Sequence, residues 1–363
     1  MIKKLKEYNI KQLKCISPSQ YYSALNCPYK LVLANSLGYK SLLPMNANAY
    51  FGSVTHKIIE LISRGVIFDE HSFSEKWVEL INQKEDELKS NGLSVILPLK
   101  YFVTDFALKK NQIKNILQRK NGKINNSSKA TTSKYYPEMR LENTYKSITG
   151  IADLIIENDR NITILDFKTG KIYSDEIDEC GNTEIIIKKE YEFQLKLYAH
   201  LYFLMNKKYP TTLFLVTLAN DFVEVLFTKK ECEIIYHDAI TFLSTINTFI
   251  RKGEYESIAQ PTKENCKYCS SRPACSFYSI WLMTNFENVN DLVGVLGKVT
   301  LFNNNSLGVQ LQVNDKQVLV NCLPSELKAD LENLMSKKIT IYNLKKNKQS
   351  LNATANNFTI VYE

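Results

Sequence analysis

The chain has 363 residues, 44% of them apolar and 23% charged, with a formal net charge of +8. That length carries two or three ordinary domains, and the balance excludes a disordered or fibrous chain. No run approaches the roughly 20 apolar residues of a bilayer span. The start MIKKLKEYNIKQLK lacks the apolar segment of a secretory signal. A cytoplasmic protein without membrane contact is expected, and in that compartment the eight cysteines read as thiols or metal ligands rather than disulfides.

The first forty residues carry seven lysines (Lys3, Lys4, Lys6, Lys11, Lys14, Lys30, Lys40) against one acid, Glu7. This is either a solvated basic tail or an arm for phosphates. Residues 17–37 read as a helix capped by Ser17 or Ser19, followed by a second apolar stretch. Residues 50–64 have helical periodicity, with Val54, Ile58, Leu61 and Ile62 on one side. Two helical stretches follow, near 72–90 and 99–119. The polar, basic segment 119–134 reads as a loop. Strands are expected at 138–145, 148–157 and 161–168, a helix at 190–206, a hairpin at 212–218 and 222–228, and a helix at 229–251. A cysteine-rich segment occupies 266–275. Beyond about 286, three strand-like runs, a helix opened by Pro324 and Ser325, and two more runs give the order β-β-β-α-β-β of a small OB-like barrel. Such a barrel implies nucleic-acid binding or a protein contact, and few aromatics sit on its strands as stacking platforms.

The most informative segment is SITGIADLIIENDRNITILDFKTGK, residues 147–171. Alternation puts Ile162, Ile164, Asp166 and Lys168 on one strand face and Leu165 and Phe167 on the other. A turn centred between Asp159 and Arg160 sets Asp153 opposite Asp166, and cross-strand partners share a face at roughly 5 Å. Two carboxylates and a lysine then converge on an apolar surface. Such carboxylates repel unless something neutralises them. A hard divalent cation does so, and a nearby lysine can stabilise an attacking hydroxide or developing phosphorane charge. Ordinary charges on an exposed hairpin are the plain alternative. His56 lies in Gly52-x-x-x-His56 on a helix, with Glu60 one turn on, and Gln194 and Tyr198 share a helix face. Each of these alone is commonly structural.

Taken in order, Gly52-x-x-x-His56, Glu138, Gly150-x-x-Asp153, Asp166-Phe167-Lys168-Thr169-Gly170 and Gln194-x-x-x-Tyr198 resemble the RecB-type branch of the PD-(D/E)xK nuclease superfamily. The resemblance spans about residues 17–280. It implies an α/β restriction-endonuclease-like core, a central mixed sheet flanked by helices. It also implies a site in which His56, Asp153, Asp166 and the Phe167 carbonyl ligate Mg²⁺ or Mn²⁺. Lys168 orients and activates the water, and Gln194 and Tyr198 support the lysine and the DNA strand. Glu138 takes the family's extra acidic position. The family's proline before the first aspartate is replaced by Ala152.

Cys266-x-x-Cys269 and Cys275 suggest a soft metal centre, with Cys27, in Asn26-Cys27-Pro28-Tyr29, the natural fourth ligand. Cys15, Cys180, Cys232 and Cys322 lack ligand spacing. The pattern resembles the iron–sulfur nucleases of the AddB and CRISPR-adaptation kinds, which implies a structural [4Fe–4S] cluster. Zinc on four cysteines is the alternative.

The resulting expectation is a nuclease domain over 1–284, with a helical insertion at about 65–135 and the cysteine cluster, and an OB-like domain over 285–363. The function expected is metal-dependent hydrolysis of DNA, on single strands or ends, in repair, recombination or foreign-DNA processing and defence. A catalytically inactive module that binds DNA or a partner is the alternative, and a redox sensor is a third possibility. No G-x-x-x-x-G-K-[ST] motif is present, so a helicase is expected only as a partner in trans.

Overall fold

The alternating stretches after residue 133 pair as a mixed sheet in the computed structural model, which describes residues 2–126, 133–177, 183–346 and 351–363. Strands β1 (Lys134–Glu142), β2 (Thr149–Glu157) and β3 (Ile162–Lys168) form an antiparallel meander. A small hairpin, β4 (Tyr173–Ile177) with β5 (Thr183–Ile187), follows. The helix Lys189–Asn206 then returns the chain to β6 (Thr212–Thr217), which pairs with β3 in parallel. β7 (Phe222–Glu224) closes the order β1-β2-β3-β6-β7. In β3, paired along both edges, Ile164, Leu165, Asp166 and Phe167 are all buried. A strand buried on both faces reads as an apolar run, which makes Asp166 the exception that needs a reason.

The helix Lys189–Asn206 packs on β1, β3 and β6, and the helix Ala47–Ser63 packs on β1 and β2. The latter starts where the Asn46 side chain accepts from Asn48 N. Ile58, Ile155, Ile164, Leu195, Leu201, Leu213 and Leu215 on these elements are completely buried. Each contributes about 1.5–3 kcal/mol of transfer free energy. The insertion after residue 65 is helical. Glu70–Ser90 starts on a capping box between Asp69 and Ser72, and Leu99–Phe102 and Phe106–Asn126 follow.

The C-terminal strands are β8 (Leu292–Leu301), β9 (Ser306–Val313), β10 (Lys316–Pro324), β11 (Lys338–Tyr342), β12 (Lys345–Lys346), β13 (Ala353–Thr354) and β14 (Ile360–Tyr362). They form one sheet in the order β12-β13-β10-β9-β8-β11-β14. Its edge strands do not pair with each other among the described residues, so the sheet is open. Leu296, Leu307, Val309, Leu311, Val318, Val320 and Ile341 fill its core, with Tyr278 and Leu282 from the helix Ser276–Asn285.

The chain forms two compact units. One comprises Met1–Gln12, Asn26–Met45 and Phe249–Glu363, and the other Leu13–Leu25 and Asn46–Thr248. The cysteine segment and the C-terminal strands therefore share a unit, whereas the sequence reading divides them at 284/285. Among the described residues no helix is long and apolar enough to cross a membrane.

Two local expectations are corrected. Segment 119–134 is helical through Asn126, with residues 127–132 outside the described set and β1 starting at Lys134. A helix already nucleated upstream needs no further apolar stripe to propagate. Conversely, the helix expected from Pro324 shrinks to a 3₁₀ turn, Ser325–Leu327, and one short helix, Lys328–Glu332. There the sheet captures the chain, since Ser336 N donates to Leu296 O and Leu296 N to Lys337 O.

Candidate functional site

The register of β2 and β3 pairs Leu154 with Leu165, Ile155 with Ile164, Ile156 with Thr163 and Glu157 with Ile162. One step further sets Asp153 across from Asp166, as the turn position predicts. Asn158 holds that turn, its side-chain oxygen accepting from Arg160 N at 3.1 Å and Asn161 N at 2.8 Å. Asp153 Oδ2 accepts from Phe167 N at 2.7 Å, and Asp153 Oδ1 lies 3.3 Å from His56 Nδ1. Asp166 Oδ1 accepts from Gln194 Nε2 at 2.9 Å, and Gln194 Oε1 accepts from Lys168 Nζ at 2.9 Å. Lys168 Nζ is 2.5 Å from Asp166 Oδ2. That approach is off-line, and Asp166 Oδ2 stays buried without a properly directed hydrogen bond. The Lys168 ammonium also sits 4.2 Å from the Tyr191 ring centroid.

The electrostatics follow from burial. Asp166 is 3% exposed, and burial pushes its carboxyl above the usual range. Lys168 opposes that rise and Asp153 adds to it. Burial pulls the His56 imidazole down, but the Asp153 hydrogen bond and charge, with Asp166 behind them, leave it above its ordinary value. Glu138 is raised by burial, then by Asp153 and Glu60. Carboxylates crowded together store repulsion that a cation relieves.

Glu138 belongs to β1 and faces Asp153 in register, between the pairs Pro137–Leu154 and Met139–Ala152. Its φ of +52° is left-handed within a strand, a conformation that costs free energy for a side chain with a Cβ. Glu60, also on the His56 helix, is buried and paired with Lys57 and Arg64. The Tyr198 hydroxyl donates to Ile151 O at 2.7 Å and thereby braces β2. Its ring fills the space above Gly150, where a Cβ would lie 2.9 Å from Tyr198 Cε1 and 2.7 Å from Pro18 Cδ. Phe167, on the opposite face of β3 from Asp166 and Lys168, is buried.

In the other unit, Cys27, Cys266, Cys269 and Cys275 line one pocket. Cys266 and Cys269 are buried and the other two half-buried. Cys27 Sγ accepts from Gln260 N at 3.5 Å and Cys275 Sγ from Tyr278 N at 3.4 Å. Burial pushes the Cys266 and Cys275 thiols up to about 12. At the pocket wall lies an ion pair that sequence reading missed. Arg272 Nε is 2.6 Å from Asp291 Oδ2, with side chains 7% and 3% exposed. Arg272 also donates to Cys269 O at 3.1 Å and to Asn343 Oδ1 at 2.6 Å. Tyr278 OH donates to Asp291 Oδ2 at 2.6 Å. An arginine inside the cysteine segment was the available signal; its partner 19 residues on was not. Among the other thiols Cys15 is half-buried, Cys232 buried and Cys322 exposed; Cys180 lies outside the described residues.

Among the described residues no group of three or more His, Cys, Asp or Glu side chains is arranged to hold a metal ion as it stands. The donor chemistry nonetheless fits. The orphaned Asp166 Oδ2, Asp153 and the His56 nitrogen form a set suited to a hard divalent cation, and four clustered thiols suit a soft one.

The fold is a mixed sheet with a β-α-β crossover, bearing two carboxylates and a lysine on the adjoining strands β2 and β3. The chain belongs to the PD-(D/E)XK nuclease superfamily, whose family model matches residues 15–276. Members of this superfamily generally use Mg²⁺ or Mn²⁺. Among solved structures the chain is similar to a "Putative exonuclease" from Eubacterium rectale, at 11% identity and a TM-score of 0.40, covering 66% of this chain and 82% of that one. It is also similar to the protein SSO0001, at 14% identity and a TM-score of 0.22, covering 60% and 84%. No curated protein matches the chain significantly.

Proposed function

We propose that the chain is a metal-dependent DNA nuclease of the RecB type, acting on single strands or DNA ends. The observation that carries this reading is the meeting of Asp153, Asp166 and Lys168, with Asp166 Oδ2 buried beside a lysine yet lacking a directed hydrogen bond. His56, Asp153, Asp166 and the Phe167 carbonyl would hold Mg²⁺ or Mn²⁺. When bound, the cation would supply Lewis-acid polarisation of the scissile phosphate.

The remaining steps belong to the chain. Lys168 orients the attacking water and offsets the negative charge that grows on the phosphate. Gln194 bridges Lys168 and Asp166, so the ammonium is held without a search of rotamers. Tyr198 holds β2, and with it Asp153, at a fixed height through Ile151 O. Glu138 completes the acidic rim. An inactive binding module is the second reading. The intact Asp153, Asp166 and Lys168 set argues against it, because a degenerate site commonly lacks one of these.

We further propose that Cys27, Cys266, Cys269 and Cys275 hold a structural [4Fe–4S] cluster, with zinc as the alternative. The reading rests on their shared pocket. Domains at 1–284 and 285–363, an OB-like C-terminal fold, a helicase partner and a cytoplasmic role in repair or foreign-DNA processing complete the proposal. The test is incubation of end-labelled single- and double-stranded DNA with and without Mn²⁺. Mn²⁺-dependent cleavage that disappears in Asp166→Ala is expected. No cleavage of either substrate, or cleavage undiminished in Asp166→Ala, overturns the reading.

A further inference from the structure

Lys168 needs more than one partner to be held still. Its ammonium projects from a flexible four-carbon stem and carries three rotatable donors. Asp166 Oδ2 crowds one side off-line at 2.5 Å, and Gln194 Oε1 accepts on a second at 2.9 Å. The third direction meets no oxygen in this set. It meets the face of Tyr191, whose ring centroid lies 4.2 Å from Lys168 Nζ. Tyr191 stands in the first turn of the helix Lys189–Asn206, three residues before Gln194, so both face the site. The ring is half-buried, and a cation–ring contact gains strength as water is excluded. Lys188 Nζ approaches the same ring at 5.6 Å, a looser contact that leaves the closer seat to Lys168.

We infer that Tyr191 is a positioning residue for hydrolysis, its ring face closing the third side of the Lys168 ammonium. The inference rests on the nuclease reading of the same site. The ring's quadrupole does this work rather than its hydroxyl, so phenylalanine can substitute and an aliphatic side chain of similar bulk cannot.

Two measurements test it. In metal-free protein labelled with ¹³C-lysine, the Lys168 side-chain methylene resonances, assigned through Lys168→Arg, should be shifted upfield by the ring. Tyr191→Phe should keep that shift and Tyr191→Leu should remove it. In DNA cleavage, Tyr191→Leu should lower kcat about two- to thirtyfold with little change in KM, and Tyr191→Phe should recover most of the loss. Should Tyr191→Leu fail to fold by circular dichroism, Tyr191→Met takes its place. Absence of the upfield shift in the native protein overturns the contact. Full kcat in Tyr191→Leu, or an equal loss in Tyr191→Phe, overturns the role assigned to the ring. A native protein that shows the shift but cuts no DNA overturns the nuclease reading, and the positioning role with it, while the contact stands.

Discussion

In the carboxylate site each side chain is set by close neighbours on the sheet and on the helix Lys189–Asn206: Asp153 by Phe167 N, Asp166 by Gln194, Lys168 by Gln194 and Asp166. In the cysteine pocket Cys27 and Cys275 accept long hydrogen bonds from backbone N–H groups at 3.4–3.5 Å, and the wall is fixed by the ion pair of Arg272 with Asp291. The difference follows from where the donors sit in the chain. Asp153 and Asp166 are joined by a four-residue turn region that strand register controls. Cys27 and Cys266 lie far apart in sequence, and nothing local can hold them. Oxygen donors on strands are preorganised at little entropic cost, whereas distant thiols need a tertiary clamp and gain most from a metal that closes the long loop.

The largest expected effect breaks the cysteine side of this contrast. Cys27→Ser should lose the bound metal and about 5 kcal/mol or more of stability, read by metal analysis and thermal denaturation. Cys322→Ser, at an exposed thiol, should change neither. Equal metal content and melting temperature in Cys27→Ser would remove that residue from the ligand set.

On the carboxylate side the loss should fall on rate rather than on folding. Asp166→Ala or Lys168→Ala should cut cleavage by about a thousandfold while single-strand affinity, carried by many phosphate contacts, falls far less. A gel-shift assay in the presence of EDTA separates the two quantities. Affinity lost together with activity would mean that these residues serve binding.

Arg272→Met should cost about 3 kcal/mol, because it strands a buried Asp291 carboxylate. Adding Asp291→Leu should restore only part of this, since Tyr278 OH and Asn343 N then lose their acceptor. Urea denaturation of both variants decides the point, and an unchanged midpoint in Arg272→Met would show that the clamp contributes nothing.

The smallest effect lies at Gly150. Gly150→Ala should destabilise by about 1–2 kcal/mol, since its Cβ would press on Pro18 and Tyr198. It should also slow cleavage mildly, by displacing the strand that carries Asp153. A variant as stable and as active as the native protein would show that the helices yield freely there.

Much of the carboxylate site was legible in the sequence because strand and helix periods are local. Alternation put Asp166 and Lys168 on one face, the turn centre gave the β2–β3 register, which places Asp153 and Asp166 one step beyond its last pair, Leu154 with Leu165, and four-residue spacing placed Gln194 and Tyr198 together. The same local rules misread the ends of elements. A polar run hid the last turns of the helix Phe106–Asn126, and a good helical pattern after Pro324 gave way to the sheet.

What the sequence by itself determined is therefore the set of donors and the faces on which they lie, since both depend on residue type and on a backbone period of two or 3.6 residues. Only the tertiary structure decided the rest. It set β3 beside β6 in parallel, turned the Tyr198 hydroxyl onto Ile151 O, closed Tyr191 over Lys168 and joined Arg272 to Asp291. Each of these links groups whose approach depends on how whole elements pack, and packing is settled by the fit of many apolar side chains at once rather than by any one spacing.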